Sequence, residues 1–299
     1  MSRSASSGPS SSRIRVYDAL LAAGARLERE ALIGDGMRIA QWENRDDETH
    51  YRRPGHHTVS VYLAGGLGTF RTDRPHEYGA PGRVCVMPAE HESRWVVQGP
   101  LRFVHLYVPE ELWAERVLRA YDIEPRSLPL DERLFVEDPA LAQWAARLAR
   151  MDWTDADAVL AANATSHDVL DRLAAQIDPA HVARKRPRGG LALAVRRRVI
   201  EIIEARLDLP LSLGQLAAEA ALSEFHFARM FRTSMGCSPH AWIARRRLVR
   251  ARELLAGGSL GLEAIAAACG FASASHLIQR FRAAFGVTPA QYRSLFSQR

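Results

Sequence analysis

The chain has 299 residues, enough for two domains at about 100–200 residues each. Hydrophobic residues make up 47% and charged residues 25%, the balance of a soluble globular protein with a real core. No apolar run reaches the ~18 residues of a membrane span, and Cys85, Cys237 and Cys269 are too few and too scattered for a disulfide framework or a zinc site.

These features predict a reduced, cytoplasmic protein with no membrane partner. The net charge of +6 is unevenly placed. Residues 191–299 hold 15 arginines against 7 acids, while the rest has 25 basic and 27 acidic residues. A polyanionic partner is therefore expected for the C-terminal third alone.

Residues 1–13 are Ser-rich, lack the apolar stretch of a signal peptide, and read as a disordered tail. Residues 14–108 carry short β-branched and aromatic runs at 37–43, 57–64, 67–72, 83–88, 93–98 and 101–108. Turn signals such as Gly65-Gly66, Ala80-Pro81-Gly82 and Gly99-Pro100 divide them. Six short strands at this spacing predict a sandwich or small barrel. From 109 to 177 the period becomes helical, with helices predicted over about 109–121, 138–151 and 154–177. They would bury a stripe against the β domain or a second subunit. Residues 178–190, rich in Pro, Gly and basic side chains, read as a linker, and everything from 191 to 299 is helical in pattern.

The C-terminal third repeats itself. Leu213, Leu216, Ala217, Ala220 and Leu222 recur 49 residues later as Leu262, Ile265, Ala266, Cys269 and Phe271. At an offset of 50, His226, Phe227, Phe231, Arg232, Gly236, Pro239 and Trp242 match His276, Leu277, Phe281, Arg282, Gly286, Pro289 and Tyr292. Each copy reads as a short Ala-rich helix, a tight turn, a Ser N-cap (Ser223, Ser273), a second helix and a terminating glycine. That is a helix-turn-helix, predicted over 213–235 and again over 262–285. A helix over about 240–256 joins the two. Its arginines 245, 246, 247, 250 and 252 are expected on the surface, with Arg246 as a phosphate contact.

The stretches LSLGQLAAEAALSEFHFARMFRTSMGCSPHAWI and IAAACGFASASHLIQRFRAAFGVTPAQYR resemble the DNA-binding module of AraC/XylS-type transcriptional regulators. The resemblance covers about a third of the chain. It implies that both second helices enter successive major grooves of double-stranded DNA. By position, the first would present Glu224, Phe225, Ala228, Arg229 and Arg232, and the second Ala274, Ser275, Ile278 and Gln279, with His276 at the rim and Arg282 nearby. Arg229 suits the O6/N7 edge of guanine, Gln279 an adenine, and Phe225 or Ile278 a thymine methyl. Many relatives carry Arg where this chain has Gln279, which implies a different base choice. For any one of these residues a phosphate contact or a plain solvated helix face stays open.

The resemblance also implies a cupin-like jelly roll ahead of the helices, binding a small effector and helping to form a homodimer. RNA polymerase is a further candidate partner. His57, Tyr62, His91, Trp95 and Tyr107 combine aromatic surface with polar tips and are the expected effector contacts, although core packing would explain them as well. His50, His56, His57, His76, Glu77, Glu90 and His91 could supply metal ligands. The adjacent pair His56-His57 must point to opposite faces of a strand, however, so a metal-free pocket is expected.

There is no phosphate-binding glycine loop, Gly-x-Ser-x-Gly elbow or His-Glu-x-x-His pair, so neither catalysis nor a cofactor is expected. The predicted fold class is α+β: a jelly-roll domain with flanking helices, then an all-α double helix-turn-helix domain. The predicted function is sequence-specific regulation of transcription in response to an effector. The alternatives are a ligand-independent dimeric regulator, or a metal-dependent cupin enzyme fused to a DNA-binding module.

Overall fold

A computed structural model describes residues 15–121, 125–127, 129–177, 189–258 and 260–297. The predicted N-terminal tail and nearly all of the predicted linker lie outside the described residues. The chain forms two compact units. The first takes residues up to 29, 40–105 and 132–146; the second takes 30–39, 106–131 and 147 onward.

The β region comprises α1 (Arg15–Ala22), β1 (Arg26–Gly34), β2 (Met37–Arg52), β3 (His56–Gly65), β4 (Phe70–Arg71), β5 (Arg74–Tyr78), β6 (Arg83–Met87), β7 (Glu92–Pro109) and β8 (Arg133–Glu137). The strands run in the order β1-β2-β7-β3-β6-β8, and β4 bonds to β5 and β7. The β3–β6 register sets Val59 opposite Val86 and Val61 opposite Val84, all essentially inaccessible. Alternating β-branched side chains of this kind stabilise a half-buried pleated surface.

Several strands depart from the sequence reading: β2 runs on to Arg52 past the predicted 43, β5 lies outside the predicted runs, and β7, β1 and β8 differ for reasons visible in their contacts. The runs 93–98 and 101–108 are one strand, because the left-handed Gly99 (φ 77°) is accommodated within β7 and donates its N–H to Asp46 Oδ1 at 2.6 Å. β1 has too many charged residues to alternate: Glu28 and Arg29 are satisfied on the sheet surface by Arg102 and Gln41. β8 lies in the gap between the predicted helices 109–121 and 138–151, where no strand is expected; it pairs antiparallel with β6, and Phe135 packs its ring edge-on to Trp95 at 5.7 Å.

The remaining elements are helical: α2 (Glu110–Tyr121), a 3-10 turn (Pro125–Ser127), α3 (Pro139–Leu148), α4 (Ala156–Ala175), α5 (Leu193–Ala205), α6 (Leu213–Glu219), α7 (Glu224–Met235), α8 (Pro239–Ala256), α9 (Leu262–Ala268), α10 (Ala274–Phe285) and α11 (Pro289–Ser297). The fold is thus α+β, a β N-terminal region followed by an all-helical C-terminal one. Among the described residues no helix is long and apolar enough to cross a membrane.

Two hydrophobic clusters organise the second unit. One gathers Phe227, Phe231, Met235, Trp242, Val199 and Ile203, with Leu118 of α2 against it. The other gathers Ile265, Leu277, Phe281, Phe285 and Leu255, with Ala156 and Leu160 of α4 against it. α2 and α4 therefore pack onto the helical repeat.

Candidate nucleic-acid interface

Local sequence fixes each half of the repeat. Ser212 and Gln215 form a reciprocal capping box at the start of α6. Ser223 accepts from the His226 N–H at 3.3 Å and Ser273 from the His276 N–H at 3.2 Å, starting α7 and α10. Both helices end on a left-handed glycine, Gly236 (φ 78°) and Gly286 (φ 75°). The inner faces match as well: Phe231 meets Trp242 edge-on at 6.4 Å, and Phe281 meets Tyr292 edge-on at 5.7 Å. Each pair anchors a second helix to the helix that follows it.

With the apolar faces buried, the opposite faces carry the candidate contacts. Glu224, Phe225, Arg229 and Arg232 are exposed on α7, and Ala228 is partly so. Phe225 is 80% exposed, a large apolar ring held out in solvent at the N-terminal end of the helix. On α10, Ser275, His276, Gln279 and Arg282 are exposed, and Ala274 and Ile278 partly so. The His276 ring sits edge-on to Phe271 at 5.6 Å. Arg280 is also exposed on α10. The sequence reading omits it, and its place next to Gln279 is the signal that finds it.

The joining helix α8 corrects an expectation. Of its five arginines only Arg250 is exposed. Arg246 is buried: its Nε and Nη2 donate to Glu204 at 2.5 and 3.0 Å, and its Nη1 to Glu115 at 2.7 Å. All three guanidinium nitrogens thus meet carboxylates, and the side chain is not displayed for a phosphate. Arg247 donates to the Leu207 and Leu209 carbonyls at 2.8 Å each, and Arg252 to Asp35 at 2.8 Å. The acids responsible sit far away in sequence, so no local signal could have placed them.

The β region holds a separate cavity, lined by Asn44, Tyr51, Ser60, Tyr62, Trp95 and His105 among others, with a volume of about 30 Å³. Of the five predicted effector contacts, Tyr62 and Trp95 line it. His57, His91 and Tyr107 are buried elsewhere. His57 Nδ1 accepts from the Ala89 N–H at 3.1 Å, and His91 Nδ1 lies 2.6 Å from the Pro88 carbonyl, so both rings brace the same turn. Burial pushes His57 and His105 down to about 3, leaving neutral rings. His105, which sequence reasoning overlooked, lines the cavity. Of the metal-ligand candidates, His50 pairs with Glu92 at 3.3 Å. No group of three or more His, Cys, Asp or Glu among the described residues could hold a metal ion.

Comparison with known proteins falls on the same region. A helix-turn-helix domain family matches residues 216–294. The HTH-type transcriptional regulator GbdR of Pseudomonas aeruginosa is 33% identical over 97 residues, 32% of this chain and 26% of that one. The virulence regulon transcriptional activator VirF of Yersinia enterocolitica is 40% identical over 81 residues, 27% of this chain and 30% of that one. Among solved structures, the DNA-binding domain of AdpA in complex with a target DNA is 30% identical. That match covers 34% of this chain and 92% of that one, at a TM-score of 0.33. This chain thus spans about a third or less of GbdR and VirF, the curated relatives named here.

Proposed function

We propose that this chain carries a DNA-binding domain like that of AraC/XylS-type regulators and is a sequence-specific regulator of transcription. The observation carrying this reading is the pair of capped helices α7 and α10, each buried on one face and each offering exposed polar and basic side chains on the other. Arg229, Gln279 and Arg280, exposed on these faces, are the side chains we assign to base edges and phosphates. The excess of basic over acidic residues in the same region supplies the long-range attraction. In this reading α8 acts as a braced spacer, setting the two reading helices about one turn of DNA (34–36 Å) apart. The test compares binding to a selected duplex with binding to a random-sequence duplex at near-physiological salt. Affinity at least about a thousandfold higher for the selected duplex supports the proposal, and equal affinity for both overturns it.

Regulation by a small effector in the β region draws on the aromatic and polar lining around Tyr62, Trp95, Asn44 and His105. About 30 Å³ is room for a water molecule, so an effector there requires the cavity to open. Homodimer formation would use surface other than the stripe Val169, Leu170 and Leu173 of α4, which is already covered within the chain.

A further inference from the structure

A second, roomier cavity of about 330 Å³ lies within the helical unit. α2 and α4 line it together with the turn between β1 and β2, and so does α8, the helix joining the two halves of the repeat. Its composition is unusual for a solvent-filled cleft. Four arginines (Arg116, Arg119, Arg245, Arg252) line it against three carboxylates, and those carboxylates are already committed. Asp35 accepts from Arg252 at 2.8 Å and lies 2.8 Å from His167 Nε2. Asp171 takes Arg116. Glu115 takes Arg119 at 3.0 Å and Arg245 at 2.9 Å, as well as Arg246 from outside the cavity at 2.7 Å.

Positive charge and donors remain over. Nε of Arg116 and both Nε and Nη1 of Arg245 are shielded from bulk water and have no hydrogen-bond partner among the described residues; among the acceptors lining the cavity only Glu115 Oε2 is in the same position, and it is ion-paired with Arg245 Nη2 at 2.9 Å. A buried charged donor left without an acceptor is costly, so such donors persist where something else satisfies them. Guanidinium forks match the planar oxygens of carboxylate and phosphate groups. The apolar lining is confined to Leu112, Ala120 and Val249, too little to cover a hydrocarbon chain. The volume lies at the small end of ligand sites.

We propose that this cavity binds a small, multiply charged anion, a phosphate ester or a di- or tricarboxylate, held chiefly by Arg245, Arg252 and Arg119. Such a ligand would bridge α2 to α8. That this changes the affinity for DNA rests on the function proposed above; the binding itself does not.

The test is isothermal titration of the full-length chain with inorganic phosphate, pyrophosphate and succinate at fixed ionic strength. Two variants address the site. Arg119 is about half exposed, so Arg119→Gln removes a charge without removing a core group. Ala120 is exposed on the cavity rim, so Ala120→Glu brings in a repelling carboxylate. The double variant Arg229→Ala with Arg280→Ala controls for anions held at the DNA face. The expected result is one saturable site for at least one probe, weakened about tenfold or more by Arg119→Gln and by Ala120→Glu and unchanged in the control. A tenfold loss corresponds to about 1.4 kcal/mol. The proposal is overturned if no probe binds saturably, if neither cavity variant weakens binding, or if the control abolishes it. Because the readout is anion binding without DNA, its failure leaves the DNA-binding reading intact, and the reverse also holds.

Discussion

Arg246 and Glu115 stand 131 residues apart in sequence and meet at 2.7 Å, one on the helix that joins the two halves of the repeat and the other on α2. Glu204 closes the other side of the same guanidinium. A helix rich in arginine has thus turned part of its charge inward, and its role here is to fix geometry. Arg246→Ala is therefore expected to act on folding. Leaving Glu115 and Glu204 without their shared cation should lower the unfolding free energy by about 3–5 kcal/mol, with the salt slope of DNA binding changed by less than one unit. Urea denaturation and a salt titration measure the two effects separately. A wild-type midpoint with a flattened slope would restore Arg246 to the DNA face.

Arg229 has the opposite environment, exposed in the middle of α7. Arg229→Ala should cost about 1–3 kcal/mol on the preferred site and relax discrimination at a single base pair. Arg280→Ala should instead weaken binding to all sequences alike and reduce the salt slope by about one unit. Competition binding with a set of single-base-pair variants distinguishes these patterns. Equal losses on every sequence for Arg229→Ala would reassign it to phosphate.

The two tight turns should respond differently to substitution. Gly270 (φ 69°) lies so close to its surroundings that a Cβ would sit 2.4 Å from the Leu207 carbonyl oxygen and 2.8 Å from the Arg247 guanidinium carbon. Gly270→Ala combines left-handed strain with this clash and should destabilise by about 2–4 kcal/mol. The matching turn of the first repeat holds Ala221 at φ 53°, so Ala221→Gly should relieve strain and stabilise by up to about 1 kcal/mol. Thermal denaturation of both variants tests this, and shifts of the same sign would contradict it.

The β region should weaken in mild acid. Burial holds His56 at about 4 and His57 and His105 at about 3, against about 6.5 in an unfolded chain. As pH falls below about 6.5 the unfolded chain takes up protons that the folded chain refuses until pH 3–4. Stability is therefore full above that window and declines through it, by up to about 1.4 kcal/mol per pH unit for each histidine. His57 adds a geometric reason, because its Nδ1 must stay unprotonated to accept the Ala89 N–H. Urea midpoints at pH 7 and pH 5 report the effect, and equal midpoints would contradict it.

The legible parts of this molecule were those written locally. Ser223, Gly236, Ser273 and Gly286 mark helix ends within a few residues of where the chain turns, and the phenylalanines behind them repeat at a fixed offset, so the helical boundaries of the repeat could be read directly. The exposed face of each second helix follows as the complement of the buried one. What escaped was non-local. β8 is five residues between helices and becomes a strand only because β6 offers it an edge. Gly99-Pro100 has the composition of a turn, yet Asp46 stabilises it inside a continuous strand. The arginines of α8 alternate like a solvated face, and only the acids at positions 35, 115 and 204 show that several are internal. In the β region, aromatic and histidine content picked out residues that are buried, but it could not separate Tyr62 and Trp95, at the cavity, from His57 and His91, which brace a turn.

In the function proposed, two helices of one chain read two segments of one duplex. Selecting random-sequence duplex DNA with the full-length protein at near-physiological salt, then sequencing the bound pool, tests it most directly. The account predicts an enriched motif of two short boxes about one helical turn (34–36 Å) apart, with the box read by α10 degraded by Gln279→Ala and the other left intact. A pool that stays random, with binding that disappears as salt is raised, would contradict it.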